Sequence, residues 1–148
     1  MILRTGTEAD LERLHELIME LAIYEKGEDQ VSNTLDRMKE EGLGSSPVFG
    51  FFVAELDDEI IGAAVYYWRY STWKGKRLYL EDLIVTEAFR GKGAGKLLFD
   101  KMIEFGKQEN ASGMMWQVLD WNEPAINFYK KYNTSFDKEW VNCYIDFS

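Results

Sequence analysis

The sequence predicts an α/β domain with a mixed central sheet and helices on both faces. Three observations predict it. Apolar residues recur at helical spacing near the start, three extended segments follow one another in the middle, and helical and extended segments alternate after them. Consecutive extended segments imply antiparallel pairing, whereas a strand regained across a helix implies parallel pairing, so the sheet is mixed.

The elements follow in order. Ile2 to Arg4 is extended, and Thr7 to Asp10 caps a helix carrying Leu11, Leu14, Leu17, Ile18 and Leu21. After a polar break at Lys26 to Gln30, Ser32 or Thr34 caps a shorter helix through Leu35 and Met38 that ends near Gly42 and Gly44. Phe49 to Leu56 is a strand, Asp57-Asp58 a hairpin turn and Ile60 to Tyr70 its partner. Ser71 to Gly75 is a loop, Lys76 to Val85 a strand, and Ala94 to Lys107 a helix carrying Leu97, Leu98, Met102, Ile103 and Phe105. Met114 to Leu119 is extended, Asn122 caps a helix running to about Tyr132 with Pro124 in its first turn, and Val141 to Phe147 alternates as a closing strand. With a short strand around Thr134 to Asp137, the order is β-α-α-β-β-β-α-β-α-β-β, in one domain over residues 1–148.

The chain carries 17 Lys and Arg against 26 Asp and Glu, a formal net charge of −9, with one Cys and one His. An internal disulfide and a histidine-pair zinc site are therefore excluded, and no metal site is expected. A net acidic chain lacks the basic footprint of a nucleic-acid binder. No apolar run approaches the roughly 18 residues of a membrane span, and the start lacks a secretory pattern, so the expectation is a cytoplasmic protein. His15 is expected to be structural and Cys143 a small buried hydrophobe of the last strand.

One segment reverses the charge. Arg90-Gly91-Lys92-Gly93-Ala94-Gly95-Lys96 follows a strand and opens a helix, which is the arrangement of an anion cradle: glycines let backbone N–H groups approach an anion, and the helix dipole favours negative charge. A nucleoside-triphosphate loop fails on spacing, because the position five before Gly95 is Arg90 and Lys96 is followed by Leu97. A dinucleotide fingerprint fails because Lys96 or Leu98 falls where its third glycine belongs. What remains, Arg90-x-x-Gly93-x-Gly95, resembles the pyrophosphate-binding motif of the GCN5-related N-acetyltransferase superfamily.

Further residues carry the resemblance: Asn122-Glu123-Pro124-Ala125-Ile126-Asn127-Phe128-Tyr129, Leu21-Ala22-Ile23-Tyr24-Glu25 and Tyr79-Leu80-Glu81-Asp82. They resemble the spermidine/spermine and thialysine acetyltransferase branch, from about Ile2 to Tyr132. The resemblance implies the GNAT fold and an acetyl-CoA-dependent transfer to a primary amine of a small cationic acceptor, in a homodimer. It implies that Tyr129 protonates the departing thiolate, and that the backbone of Leu83, Ile84 and Val85 pairs with the pantetheine arm. It further implies that Gly91, Lys92, Gly93, Ala94, Gly95 and Lys96 hold the pyrophosphate, with Asn122, Glu123, Pro124 and Ala125 also lining the cofactor. Tyr24, Glu25, Glu81 and Asp82 would contact the acceptor. Asn133 replaces the glycine usual four residues after the tyrosine, a residue that can still adopt the left-handed conformation of a helix end. The stretch to Trp140 is shorter than in the polyamine enzymes.

The chemistry needs a carboxylate. An alkyl amine of pKa about 10.4 is neutral in only about one molecule in 2,500 at pH 7, a handicap of roughly 4.6 kcal/mol for attack. A carboxylate attracts the ammonium and then accepts or relays its proton. Glu81, with Asp82 beside it, is the candidate, but adjacent side chains of a regular strand point to opposite faces, so both serve one site only across a bulge or at an edge. Glu25 and Glu139 are candidates for the far end of the acceptor, and Trp73, Trp116 and Trp121 for its walls. Acceptance by a protein amine, and binding of acyl-CoA without catalysis, are the alternative functions.

Overall fold

In the computed structural model, which describes residues 1–147, the chain divides into two compact units, Met1–Gln117 and Val118–Ser148. The first unit holds a five-stranded sheet in the order β1-β2-β3-β4-β5, with β1 Ile2–Thr5, β2 Gly50–Leu56, β3 Glu59–Ser71, β4 Gly75–Val85 and β5 Met114–Met115. Pairing is antiparallel through β4, and β5 joins β4 in parallel. The helices are α1 Leu11–Tyr24, α2 Leu35–Leu43 and α3 Ala94–Gln108.

Both faces of the sheet are covered, as the sequence requires. Leu11, Leu14 and Leu17 of α1 and Met38 of α2 form one core with Phe51, Val53, Ala63, Val65 and Ile84. On the other face Phe105 of α3 meets Phe52, Tyr66 and Trp68, with ring centroids 5.0–5.7 Å apart. The β2–β3 turn has positive φ at both Asp57 and Asp58, the backbone twist that suits a two-residue hairpin. Buried Asp10 accepts from the Thr7 N–H at 2.8 Å and binds Arg4 at 2.7 Å, joining β1 to the start of α1. The Arg4 guanidinium holds the Asp10 carboxyl down at about 2.

The second unit contains α4, Glu123–Tyr129, and here the sequence expectations need correction. α4 stops at Tyr129 instead of Tyr132, and Asn133 is not among the residues of positive φ. The Thr134 hydroxyl caps the helix instead, donating to the Tyr129 carbonyl at 2.7 Å, so no left-handed residue is needed. Neither Thr134 to Asp137 nor Val141 to Phe147 forms a strand, and Cys143 is exposed rather than buried. Alternation makes a segment fit to be a strand, but a strand also needs a partner edge, and this unit has none among its described residues. The extended stretch from Met114 to Leu119 pairs at Met114 and Met115 alone.

Candidate active site

The site begins with a fault in the sheet. Val65 pairs with Asp82 and Tyr66 with Leu80, so Glu81 is the extra residue of a β-bulge in β4. The phase of the strand shifts there. Tyr79 pairs with Tyr67 and Asp82 with Val65, and Tyr67 and Val65 lie two apart on one face of β3. Tyr79 and Asp82, three residues apart, therefore share the face covered by α1. A regular strand would have put them on opposite faces, so the bulge supplies the condition for Glu81 and Asp82 to serve one site.

Electrostatics show the same convergence. Burial, reinforced by the charges of Glu81 and Glu25, pushes the Asp82 carboxyl up to about 7. Burial also raises Glu81 and Glu25. Glu81 further raises the phenols of Tyr67 and Tyr79, whose rings stack at 4.9 Å, although burial is the larger cause for each. Three carboxylates and two tyrosines thus gather about the bulge in the middle of β4. Glu25 is placed there by the end of α1, where Lys26 takes a left-handed conformation and the Gly27 N–H donates to the Ala22 carbonyl at 2.8 Å.

Beyond the bulge, β4 has a free edge. β5 pairs only with Leu78 and Tyr79, so from Leu80 to Val85 the side of β4 facing away from β3 has no strand partner among the described residues. Leu83, Ile84 and Val85 lie in this stretch, and a chain of amides can pair with it as a strand would. The strand then leads through Thr86 into the glycine turn.

Gly91 and Gly93 have φ of 77° and 90°, a region that L side chains avoid, and Gly93 is the N-cap of α3. The N–H groups of Ala94, Gly95 and Lys96 in the first turn have no acceptor inside the helix. These donors and the exposed ammonium of Lys92, which lies 5.3 Å from the Phe89 ring, make up the anion cradle. The other two cations are engaged: Lys96 binds Asp100 at 2.6 Å, and Arg90 Nε donates to the Val85 carbonyl at 2.9 Å. Arg90 also lies 5.3 Å from the Tyr24 ring, so the residue expected at the acceptor abuts the turn.

Glu20 was not legible as a site residue. Its carboxylate accepts from the Thr86 hydroxyl at 2.9 Å and the Glu87 N–H at 2.8 Å, and lies 3.8 Å from Arg90. It thereby fastens α1 to the turn, beside a cavity of about 300 Å³ lined by Glu20, Ile23, Tyr24, Glu87 and Arg90. Only its place on the inward flank of a helix could have signalled it.

In the second unit, buried Asn122 caps α4 by accepting from the Ala125 N–H at 3.3 Å, with Glu123 and Pro124 in the first turn. Tyr129 ends the helix and is buried, its ring 5.4 Å from Phe128. Glu139 closes a turn on Asp137 and is exposed. Trp116 packs edge-on against Phe99, Trp73 is 86% exposed in the β3–β4 loop, and Trp121 is also exposed. His15 is half-buried, its Nε2 3.4 Å from the Asn33 carbonyl. Among the described residues no cluster of His, Cys, Asp and Glu is fit to hold a metal.

A sequence profile of the Acetyltransferase (GNAT) family matches residues 11–133. The thialysine N-epsilon-acetyltransferase of Bos taurus is 36% identical over 138 residues, covering 88% of this chain and 81% of that one. The spermidine/spermine N(1)-acetyltransferase-like protein 1 of Homo sapiens is 32% identical over 86% of this chain and 19% of its own length. A solved structure of a possible acetyltransferase from Clostridium difficile 630 shares the fold with a TM-score of 0.81 at 20% identity, over 99% of this chain and 98% of that one. A bulged strand with a free edge, leading into a glycine turn at a helix start, agrees with these matches, and the chain belongs to the GNAT family of acetyltransferases.

Proposed function

We propose that this enzyme moves an acetyl group from acetyl-CoA to a primary amine of a small cationic acceptor by direct attack in a ternary complex. The observation that carries the reading is the Glu81 bulge, which sets a carboxylate cluster beside the free edge of β4 on an approach that ends in an anion cradle. Relatives named for thialysine and for spermidine/spermine support a cationic acceptor.

The residues present fit acetyl-CoA. The N–H groups of the turn from Gly91 to Lys96, with Lys92, would hold the pyrophosphate, the edge at Leu83 to Val85 the pantetheine amides, and Asn122 to Ala125 a further stretch of the cofactor. Bound there, acetyl-CoA supplies a thioester carbonyl open to attack by nitrogen. Glu81, Asp82 and Glu25 draw in the ammonium. Asp82, whose carboxyl titrates near neutrality, and Glu81 are the groups that accept the ammonium proton, directly or through a water. N–H groups on the free edge of β4 face the charge that develops on the carbonyl oxygen. Tyr129 donates a proton to the departing sulfur.

The reading extends to a homodimer in the cytoplasm that uses no metal. Among the described residues no helix is long and apolar enough to cross a membrane, and the chain is acidic. A coupled thiol-release assay over diamines, polyamines, basic amino acids and lysine peptides tests the function. Release with small amines is the expected result. Release with peptides alone would move the acceptor to protein, and acetyl-CoA binding with no release would make the chain a binding module.

A further inference from the structure

Arg90 opens the glycine turn in sequence, but its side chain leaves the turn and crosses to α1. Nε donates to the Val85 carbonyl at 2.9 Å, Nη2 lies 3.8 Å from the Glu20 carboxylate, and the guanidinium carbon lies 5.3 Å from the centroid of the Tyr24 ring. The fork is therefore engaged on β4 and α1, whereas the cradle is made by the N–H groups of Ala94, Gly95 and Lys96 and by the ammonium of Lys92. Arg90 and the rest of the turn serve different neighbours.

The contacts on α1 form a stripe. Glu20, Ile23 and Tyr24 stand at i, i+3 and i+4 on one side of the helix, and all of them line the cavity of about 300 Å³ together with Glu87 and Arg90. Glu20 accepts from the Thr86 hydroxyl at 2.9 Å and the Glu87 N–H at 2.8 Å, so the base of the stripe is fixed to the turn. Arg90 reaches one helical turn further, to Tyr24. The Glu20 carboxylate balances its charge there, which offsets repulsion of a cationic acceptor. Tyr24 is 39% exposed, so the ring that Arg90 holds keeps surface toward the cavity. The next residue, Glu25, is the one whose charge reaches Asp82 at the bulge.

We infer that Arg90 is a positioning residue for the amine acceptor, holding the Tyr24 ring as a wall of the acceptor site, and that its side chain takes no part in gripping the pyrophosphate. The inference rests on the acetyl-transfer reading above. A planar guanidinium over a ring restrains a side chain that would otherwise sample several rotamers at the end of a helix. The fixed ring then offers an apolar, electron-rich surface to the methylenes or the ammonium of an acceptor. Loss of the guanidinium frees the ring without removing it, so the cost falls on acceptor binding.

Separate KM values for the two substrates test this, by thiol release from acetyl-CoA with lysine, putrescine and spermidine as acceptors. Arg90→Met should raise KM for the acceptor about fivefold or more and leave KM for acetyl-CoA within about twofold, while Lys92→Met does the reverse. Arg90→Lys, which keeps a cation and a donor, should recover part of the loss. Titration of each variant with CoA by calorimetry reads the fold and the cradle directly, and Arg90→Met should bind CoA as wild type does. Tyr24→Leu should raise the acceptor KM as well, and adding Arg90→Met to it should change little, because the arginine acts through the ring. An unchanged acceptor KM in Arg90→Met, loss of CoA binding in both Arg90 variants, or losses that multiply in the double variant overturns the inference while leaving acetyl transfer intact. Release with none of the amines removes it together with acetyl transfer to small amines.

Discussion

Tyr129 and Asp82 carry the sharpest predictions for single residues. Tyr129→Phe removes the proposed acid alone, and a positioned acid contributes roughly 10²–10⁴ in rate. Turnover should fall about a hundredfold or more with little change in either KM, and full turnover would remove Tyr129 from the role. Asp82 trades stability for chemistry. Its carboxyl is raised from the ordinary aspartate range to about 7 in the fold, so the folded state favours its protonated form. Stability from this group is therefore highest below about pH 4, declines as the pH rises toward 7, and is constant above. Asp82→Asn should match wild type near pH 4 and exceed it at pH 8 by on the order of 2 kcal/mol, or roughly 4–8 °C in Tm, while losing activity. Thermal melts at the two pH values check the sign. The pair Glu81-Asp82 was legible as residue types, but which of them titrates near neutrality was not. That depends on the depth of Asp82 among Glu81 and Glu25, which comes from packing and not from spacing.

At the scale of elements, the site hangs on how α1, β4 and the glycine turn are joined. Gly93 needs its left-handed conformation to start α3. Gly93→Ala should cost about 1–2 kcal/mol and raise KM for acetyl-CoA, with the acceptor KM little moved. Glu20 acts from α1 on the same turn through Thr86 and the Glu87 N–H. Glu20→Ala leaves the Thr86 hydroxyl and the Glu87 N–H without their acceptor and Arg90 without its ion-pair partner, and should likewise raise KM for acetyl-CoA before it lowers kcat; Glu20→Asp or Glu20→Gln should recover part of the effect. Equal losses in both parameters would reduce Glu20 to a structural contact. The helices and the β2–β3 hairpin were legible because periodicity and turn chemistry are local. The bulge at Glu81 was legible only as a condition that two neighbouring carboxylates impose, since register is fixed between strands. The strands expected after Tyr132 failed for the same reason: Val141 to Phe147 alternates, but alternation does not supply an edge.

For the whole molecule, the net charge of −9 resolves into zones. A turn rich in backbone donors and carrying Lys92 stands at one end of the free edge of β4. An acidic bulge stands at the other. Two carboxylates, one buried and one half-buried, give the fold opposite pH dependences. Asp10, held at about 2 by Arg4, contributes stability that is present above about pH 4 and lost as the pH falls through 2. Asp82 subtracts stability between pH 4 and 7. Together they predict a Tm that is highest near pH 4–5 and declines toward pH 8, which a melt series across that range measures. Composition alone excluded a basic footprint and went no further; position on the sheet is what sets the carboxylates of the candidate site apart from the rest.

The most direct test is thiol release from acetyl-CoA in the presence of small amines, with Glu81→Gln and Asp82→Asn assayed beside the wild type. Amine-dependent release that falls at least tenfold in each variant is the predicted result. Release that ignores the amine, or that both variants retain in full, would contradict an acetyl transfer organised by the carboxylate bulge of β4.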